Sequence, residues 1–263
     1  MYPLFHIGPV ELPAYGTIIL IAYIIAIFLM RHRAYVYNIE KYEFVLASLL
    51  ALVGMFVGAK IVYAVSVIPD YIEHWDIVMN DIPFAIYNAL SGFVFYGGLL
   101  GGLLMIFLYC IQSDLNFLEF TNVVVPVIPF IHGMGRIGCF MGGCCYGIEY
   151  DGPFSITFPE NEFVHSVSGV PRFPVQILEC IINMIIFVIL YTLAKKRQKP
   201  GFMLGIYFIS YSVVRFSIEF LRGDIERGFF LGVSTSQWIS LILIPVGLYF
   251  LVRKSSNVNS ADL

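Results

Sequence analysis

The sequence predicts an all-α integral membrane protein of about seven transmembrane helices. Hydrophobic residues make up 59% of its 263 residues and charged residues only 13%, whereas a soluble domain carries about 25% charged residues. A helix needs about 20 mostly apolar residues to cross the hydrocarbon core of a bilayer. Seven segments meet this requirement: Leu12–Met30, Phe44–Val67, Phe93–Ile111, Phe120–Gly138, Pro174–Ala194, Gly201–Leu221 and Phe229–Val252. The sequence lacks the basic stripe of a nucleic-acid-binding protein, so we expect no nucleic-acid partner.

The basic residues between these segments predict the orientation of the chain. Lys and Arg favour cytoplasmic connections. If the N-terminus lies outside, these basic residues all fall on the cytoplasmic side: Arg31, Arg33, Lys41, Lys195, Lys196, Arg197, Lys199, Arg253 and Lys254. We therefore expect the N-terminus outside and the C-terminus inside.

Two connections on the predicted outer side are long enough to fold. They cover Pro69–Ser91 and Gly142–Phe173, and the second is rich in glycine. We expect a small outer-face cap within residues 142–173, above a cavity in the membrane. One transmembrane domain over residues 1–254 is the simplest interpretation, and the polar tail 255–263 is expected to be disordered.

Charged residues inside the predicted spans are the first functional signal, because each costs about 2.5–3.5 kcal/mol at the centre of a bilayer. Those inside the spans are Lys60, Arg136, Glu179, Arg215 and Glu219, and Arg172 and Arg222 lie at the outer boundary. The set holds more cations than anions, which favours an anionic ligand such as phosphate.

These charges could instead form ion pairs that only fix the packing of the helices. The spacing of Arg215, Glu219 and Arg222 predicts one helix face, and an ion pair between Glu219 and Arg215 is as compatible with it as ligand contact. Arg136 has no acidic residue near it in its own segment, which favours a ligand. Lys60 could extend toward the interface or contact a ligand.

Glycine and proline residues distinguish two of the spans. In the fourth span, we expect five of them to break the helix and to free backbone groups for a cavity: Pro126, Pro129, Gly133, Gly135 and Gly138. In the third span, Gly97, Gly98, Gly101 and Gly102 predict close packing against another helix.

Cys139, Cys144 and Cys145 form a group at the outer end of the fourth span. They could form a disulfide on an oxidising face, supply a nucleophilic thiol beside Arg136, or be small apolar residues in a tight turn. His132 and His165 could complete a zinc site, but the spacing matches no known zinc pattern. We favour the tight turn and predict no metal.

Five motifs, in order along the chain, resemble those of the prolipoprotein diacylglyceryl transferases. They are Pro13–Gly16, Tyr96–Gly101, His132–Gly147, Arg172–Glu179 and Arg215–Arg222. The resemblance covers nearly the whole chain. It implies a multi-pass enzyme of the bacterial cytoplasmic membrane with its active site facing the outer side, and it makes residues 1–254 a catalytic domain.

The resemblance also implies a reaction. The diacylglyceryl group of phosphatidylglycerol is attached to the lipobox cysteine of a preprolipoprotein as a thioether, and glycerol phosphate is released without a cofactor. The implied partners are phosphatidylglycerol, the lipobox segment and membrane lipid. The implied catalytic residues are Arg136, Arg215, Tyr96 and Tyr15. Substrate-binding roles are implied for Lys60, Cys139, Gly147, Arg172, Gln176, Glu179, Glu219 and Arg222.

Several residues depart from the family pattern. Tyr96 stands in place of a histidine that has been considered a base, and Cys139, Gly142 and Cys144 replace two asparagines and a glutamate; Lys60 stands where arginine is common. A thiol with a pKa near 8.5 needs activation at neutral pH. Tyr96 could accept its proton only if a cation lowered the tyrosine pKa, and we prefer direct acidification by the arginines. The alternatives are a related enzyme with a different acceptor, and a non-catalytic binder of an anionic lipid or a metal.

Overall fold

The computed structural model describes residues 4–159, 169–224 and 228–254 and confirms the all-α membrane class. Its α-helices are α1 (Ala14–Arg33), α2 (Lys41–Ser66), α3 (Ile68–Glu73), α4 (Trp75–Asn80), α5 (Ile82–Ser91), α6 (Phe95–Gln112), α7 (Phe117–Val124), α8 (Ile128–Gly142), α9 (Val175–Leu193), α10 (Phe202–Ile218) and α11 (Thr235–Val252). Within the described residues, six helical runs are long and apolar enough to cross a membrane, and α5 with α6, bent by 69°, makes a seventh if the pair is one span. The orientation stays a prediction.

Short antiparallel hairpins accompany the helices. Their strands are β1 (Leu4–Ile7) with β2 (Val10–Pro13), β3 (Ile156–Thr157) with β4 (Pro171–Arg172), and β5 (Phe229–Phe230) with β6 (Val233–Ser234). The last hairpin shortens the seventh predicted span, because α11 begins only at Thr235. Ser234 caps that helix: its Oγ accepts a hydrogen bond from the Gln237 N–H, and Gln237 Oε1 accepts one from the Ser234 N–H.

The chain divides into two compact units. The first unit comprises Met1–Asn38 and Leu118–Leu263, and the second comprises Ile39–Phe117. A single catalytic domain stays a prediction, and the predicted tail 255–263 lies outside the described residues.

In the first unit, α8 packs against α1 and α9, and α10 packs against α11. A buried apolar cluster lies where α9 ends and α10 begins; its members are Val125, Ile186, Leu190, Ala194 and Met203. The polar residues described below lie toward the opposite ends of these helices.

In the second unit, α2 and α6 pack through glycines, as predicted for the third span. A Cβ atom added to Gly54, Gly58, Gly97 or Gly101 would come within 3.0 Å of a backbone atom of the facing helix. Such contact requires residues without side chains.

We expect Gly101→Ala to lower the stability of the second unit by about 1–3 kcal/mol, because the new methyl group forces α2 and α6 apart. Thermal unfolding of the detergent-solubilised protein measures the change. Gly16→Ala is the matched control, since a Cβ atom there has nothing within 4 Å. Equal melting temperatures for the two variants would contradict this account of the packing.

The predicted break of the fourth span at its glycines is wrong. Helix α8 runs without interruption through Gly133, Gly135 and Gly138, and the only irregularity between α7 and α8 is a 3-10 turn over Val125–Val127. The glycines permit close packing instead, since a Cβ atom at Gly133 would meet Met184 of α9 and one at Gly138 would meet Tyr15 of α1.

The outer connections fold in different ways. Pro69–Ser91 lies largely within the three short helices α3, α4 and α5. In Gly142–Phe173, the described residues 142–159 and 169–173 contain β3 and β4 and two isolated bridges, which pair Gly147 with Arg222 and Glu149 with Arg172. His165 lies outside the described residues.

Candidate functional site

Arg136 forms a buried cluster with one residue of its own helix and one of the next. Its Nε lies 3.1 Å from Glu179 Oε1, and the His132 ring, one turn earlier on α8, contacts both: Nε2 is 3.2 Å from Arg136 Nη2 and 3.5 Å from Glu179 Oε1. Only 2% of Glu179 is exposed. The expectation that Arg136 lacks an acidic neighbour is therefore wrong. The acidic residue belongs to α9, and the sequence near Arg136 does not show which residues of another helix lie beside it.

Arg215 forms the second buried ion pair, at the end of α10. Its Nη1 lies 2.9 Å from Glu219 Oε2, which also accepts a 2.9 Å hydrogen bond from Ser236 Oγ of α11. Arg215 is 9% exposed. The i,i+4 ion pair considered from the sequence is thus present.

Arg136 and Arg215 are both within electrostatic reach of His132. The His132 ring also packs against Tyr211 of α10 with 5.4 Å between the centroids. His132 therefore links the Arg136 cluster of α8 and α9 to the helix that carries Arg215.

Arg222 does not continue the helix face of Arg215 and Glu219, which corrects the prediction of one shared face. Helix α10 ends at Ile218, a 3-10 turn covers Glu219–Leu221, and Arg222 has an extended backbone. Its Nε donates to Asp224 Oδ1 at 3.0 Å. Burial alone would lower the pKa of Arg222, but the hydrogen bonds and charge of Asp224 raise it above its ordinary value, so this side chain stays a cation.

Arg172 and Gln176 hold the loop that follows α8. Arg172 Nη1 donates to the Gly147 carbonyl at 3.3 Å, and its guanidinium lies 4.5 Å from the centroid of the Tyr146 ring. Gln176 Nε2 donates to the Cys144 carbonyl at 2.9 Å. The start of α9 thereby fixes the backbone from Cys144 to Gly147.

The surplus of positive charge inferred from the sequence is smaller in the folded first unit. Each of its four site arginines has an acidic neighbour, since Glu149 lies 3.7 Å from Arg172 and Asp224 pairs with Arg222. A guanidinium offers five N–H groups, more than one carboxylate can accept. Arg172 Nε is buried and makes no hydrogen bond to the described protein atoms, whereas Arg215 Nη1 has only its ion pair with Glu219. Spare donors, more than net charge, therefore equip this cluster to bind an anion.

The three grouped cysteines converge where α8 ends. Their Sγ atoms all lie within 4.8 Å of one another, and all are free thiols. The turn that brings them together has two left-handed residues, Gly143 (φ 74°) and Cys145 (φ 55°), and the second is uncommon for a residue with a side chain. The tight turn predicted from the sequence is present, and the structure shows no disulfide within it.

The charges near Cys145 favour its ionised form. Hydrogen bonds from Cys139 and Cys144 lower the pKa of the Cys145 thiol, and the charges of Arg136 and Arg222 act in the same direction against the effect of burial. Tyr15, at the start of α1, is within electrostatic reach of Cys139 and Arg136. The thiols, Tyr15 and the arginines thus belong to one polar region.

Lys60 and Tyr96 belong to the second unit, whereas the other predicted site residues lie in the first. Lys60 Nζ donates to the Leu90 carbonyl and lies 4.1 Å from the centroid of the Phe93 ring. Tyr96 is near the start of α6 and about half exposed. Their roles stay predictions.

Comparison with known proteins gives the family. The family described as "Prolipoprotein diacylglyceryl transferase" matches residues 3–253. The chain belongs to this family. A Clostridium perfringens protein named "Phosphatidylglycerol--prolipoprotein diacylglyceryl transferase 2" is 35% identical over 237 residues, covering 89% of this chain and 88% of the relative. A Clostridium tetani protein named "Phosphatidylglycerol--prolipoprotein diacylglyceryl transferase" is 31% identical, covering 94% of this chain and 94% of the relative. An Idiomarina loihiensis protein of the same name is also 31% identical, covering 95% of this chain and 91% of the relative.

Several residues in this diacylglyceryl transferase site were not predicted as site residues. His132 was noted only as a possible zinc ligand, although its position one turn before Arg136 places the two on the same helix face. Asp224, which follows the sixth predicted span, contacts Arg222, and Ser236, in the seventh, contacts Glu219. No pattern in the sequence pointed to them.

Proposed function

We propose that this membrane protein transfers the diacylglyceryl group of phosphatidylglycerol to the lipobox cysteine of preprolipoproteins, forming a thioether and releasing glycerol phosphate. The observation that carries the proposal is the pair of buried arginines Arg136 and Arg215, each held by an acidic side chain, in a chain whose relatives are named for this reaction. A phosphate ester is the anion that such spare guanidinium donors bind well.

The chemistry needs a leaving group and a nucleophile. When the thiolate attacks the glyceryl carbon next to the phosphate ester, the C–O bond breaks and negative charge grows on the departing oxygen. Fixed donors from Arg136 and Arg215 would stabilise that charge, which is the most effective use of a preorganised cation. The same positive charges would favour ionisation of the incoming thiol.

The remaining residues would shape the two binding regions. Glu179 and Glu219 orient the two arginines through the ion pairs described above. Arg172, Gln176 and Gly147 form the loop beside the thiols, and Arg222 bridges to it. Tyr15 is within electrostatic reach of Arg136 and Cys139, and the roles of Lys60 and Tyr96 stay predictions from the family resemblance.

We further propose that the site faces the outer side of the bacterial cytoplasmic membrane. In the first unit, the site residues lie at the start of α1, the end of α8, the start of α9 and the end of α10. The basic residues of the predicted cytoplasmic side lie at or beyond the opposite ends, for example Arg31 and Arg33 in α1 and Lys195 after α9. That separation supports the predicted orientation.

The purified full-length protein should add one diacylglyceryl group to a lipobox peptide when it is given phosphatidylglycerol. Mass spectrometry of the peptide measures the added mass, and a peptide with serine in place of the acceptor cysteine is the control. If the protein binds phosphatidylglycerol but leaves the cysteine peptide unmodified, the proposed acceptor is wrong and a related transferase with another acceptor is favoured.

A further inference from the structure

No bond-making or bond-breaking step proposed above uses the thiol groups of Cys139, Cys144 and Cys145, which we call the cysteine cluster. Within the described residues, it is the one group of three or more His, Cys, Asp or Glu side chains whose ligand atoms all lie within 4.8 Å of one another. Thiolates prefer soft or borderline metal ions such as zinc, over magnesium or calcium.

The spacing of the cluster fits a metal with three thiolate ligands. Zinc–sulfur bonds of about 2.3 Å in a tetrahedron place neighbouring sulfur atoms about 3.8 Å apart. The present Sγ separations, all within 4.8 Å, therefore require only a small contraction. Cys144, the exposed member, leaves one side of the cluster accessible, which is where a fourth ligand would bind.

The backbone holds the three sulfur atoms in place. Cys139 is on α8 and 7% exposed, and the left-handed residues Gly143 and Cys145 fold the chain back over it. Gln176 secures the turn from α9 through the Cys144 carbonyl. An uncommon backbone conformation that is supported by neighbouring contacts is characteristic of functional sites.

The surrounding charges suit such a centre. Three thiolates and one divalent ion carry a net charge of −1, and Arg136 and Arg222 both act electrostatically on Cys145. The centre would also lie beside Arg136, where the proposed reaction holds the phosphate.

We propose that Cys139, Cys144 and Cys145 bind a zinc ion whose fourth position takes the acceptor thiol of the diacylglyceryl transfer. This inference rests on the proposed function. The acceptor thiol binds zinc as a thiolate and gives up its proton. Its sulfur then forms the C–S bond as the C–O bond to the phosphate breaks; the departing phosphate oxygen takes the electron pair of that bond, the released proton balances its charge, and zinc stays divalent throughout.

The first experiment measures metal binding without any substrate. The full-length protein is purified under reducing conditions, incubated with zinc alone, desalted and assayed for zinc by mass spectrometry. We expect about one zinc ion per chain, and its loss in Cys144→Ala and in Cys145→Ala. Cys110→Ala is the matched control, because Cys110 is a buried free cysteine of α6, and it should keep the zinc. Binding that is absent, or unchanged in the two cluster variants, would overturn the proposal.

Cobalt loading adds an independent readout of the ligands. Thiolate-to-cobalt charge-transfer absorption should appear with the unaltered protein and with Cys110→Ala, and be lost with Cys145→Ala. Cobalt binding without that absorption would show ligands other than the three thiolates and would overturn the assignment.

The second experiment tests the role of the metal in transfer. A free thiol is only a few per cent ionised at neutral pH, so removing zinc with a chelator should slow transfer by up to about 30-fold. The arginines still favour ionisation of the thiol, which sets this as the upper bound. Adding zinc back should restore the rate. Unchanged transfer after chelation would reject the metal while the proposed function stands. Stoichiometric zinc in a protein that never modifies the peptide would reject the proposed function and, with it, the fourth-ligand role, but leave the metal site in place.

Discussion

Replacing Arg136 by alanine is expected to reduce diacylglyceryl transfer about 100- to 1,000-fold, the usual effect of removing one donor from a developing oxyanion. The measurement is the rate at which the purified variant adds the diacylglyceryl mass to a lipobox peptide. Arg197→Ala is the matched control: Arg197, in the connection between α9 and α10, also forms an ion pair, with Glu119 of α7 at 3.1 Å, but it belongs to the predicted cytoplasmic side. Its transfer rate should equal that of the unaltered protein.

The same substitution also carries a structural cost that must be separated from the catalytic one. Without Arg136, the buried carboxylate of Glu179 keeps only the His132 ring as an ion-pair partner among the described residues. Breaking one side of a buried ion pair costs about 3–5 kcal/mol. The double variant Arg136→Met with Glu179→Gln removes both charges, so its melting temperature should recover toward that of the unaltered protein.

Transfer should stay low in this double variant, because its neutral side chains cannot bind a phosphate. A double variant that is stable and fully active would show that the ion pair only fixes the packing of α8 against α9. A stable, inactive one supports the catalytic role.

The sequence predicted the helices of this fold well because a bilayer imposes a strict requirement on length and composition. Each of the seven predicted segments overlaps a long helix, and the glycines of the third span do lie against α2. The fourth span was harder, since the same glycines that can break a helix can also admit a neighbouring one. Only the positions of Met184 and Tyr15 decide that Gly133 and Gly138 do the second.

The sequence predicted which residues belong to the site but not which of them contact one another. Arginines inside an apolar span are conspicuous at any position, which is why Arg136 and Arg215 could be singled out. Their neighbours depend on tertiary contacts: Glu179 meets Arg136 across two helices, and Ser236 meets Glu219 from α11. The end of α10 at Ile218 likewise turned a predicted i,i+7 neighbour, Arg222, away from the Arg215 face.

The cysteines show the same limit. Their order along the chain matches no zinc pattern, because such patterns describe four ligands on a few familiar folds. What brings Cys144 and Cys145 back to Cys139 is the left-handed turn at Gly143 and Cys145. Backbone dihedral angles of this kind are a property of the folded loop. The sequence could therefore raise a zinc site only as one alternative, and the closeness of the three sulfur atoms came from the structure.

Replacing Gly147 by alanine is expected to be the other strongly damaging change, although glycine has no functional group. The backbone of Gly147 is enclosed by two other chain segments: a Cβ atom would come within 3.0 Å of the Phe173 carbonyl oxygen and 3.1 Å from that of Leu221. Neither obstacle is a flexible side chain, so the backbone itself must move. Overpacking of this kind costs about 1–3 kcal/mol.

The movement should reach both arginines that contact Gly147. Arg172 donates to its carbonyl, and Arg222 forms a bridge with it. A displacement of about 1 Å in groups that position a substrate lowers the rate about 100-fold, which is the loss of transfer that we expect. Gly142→Ala is the matched control, because Gly142 ends α8 just before this loop and a Cβ atom there has nothing within 4 Å. If both alanine variants transfer the diacylglyceryl group at the same rate, the tight packing around Gly147 does not position these arginines.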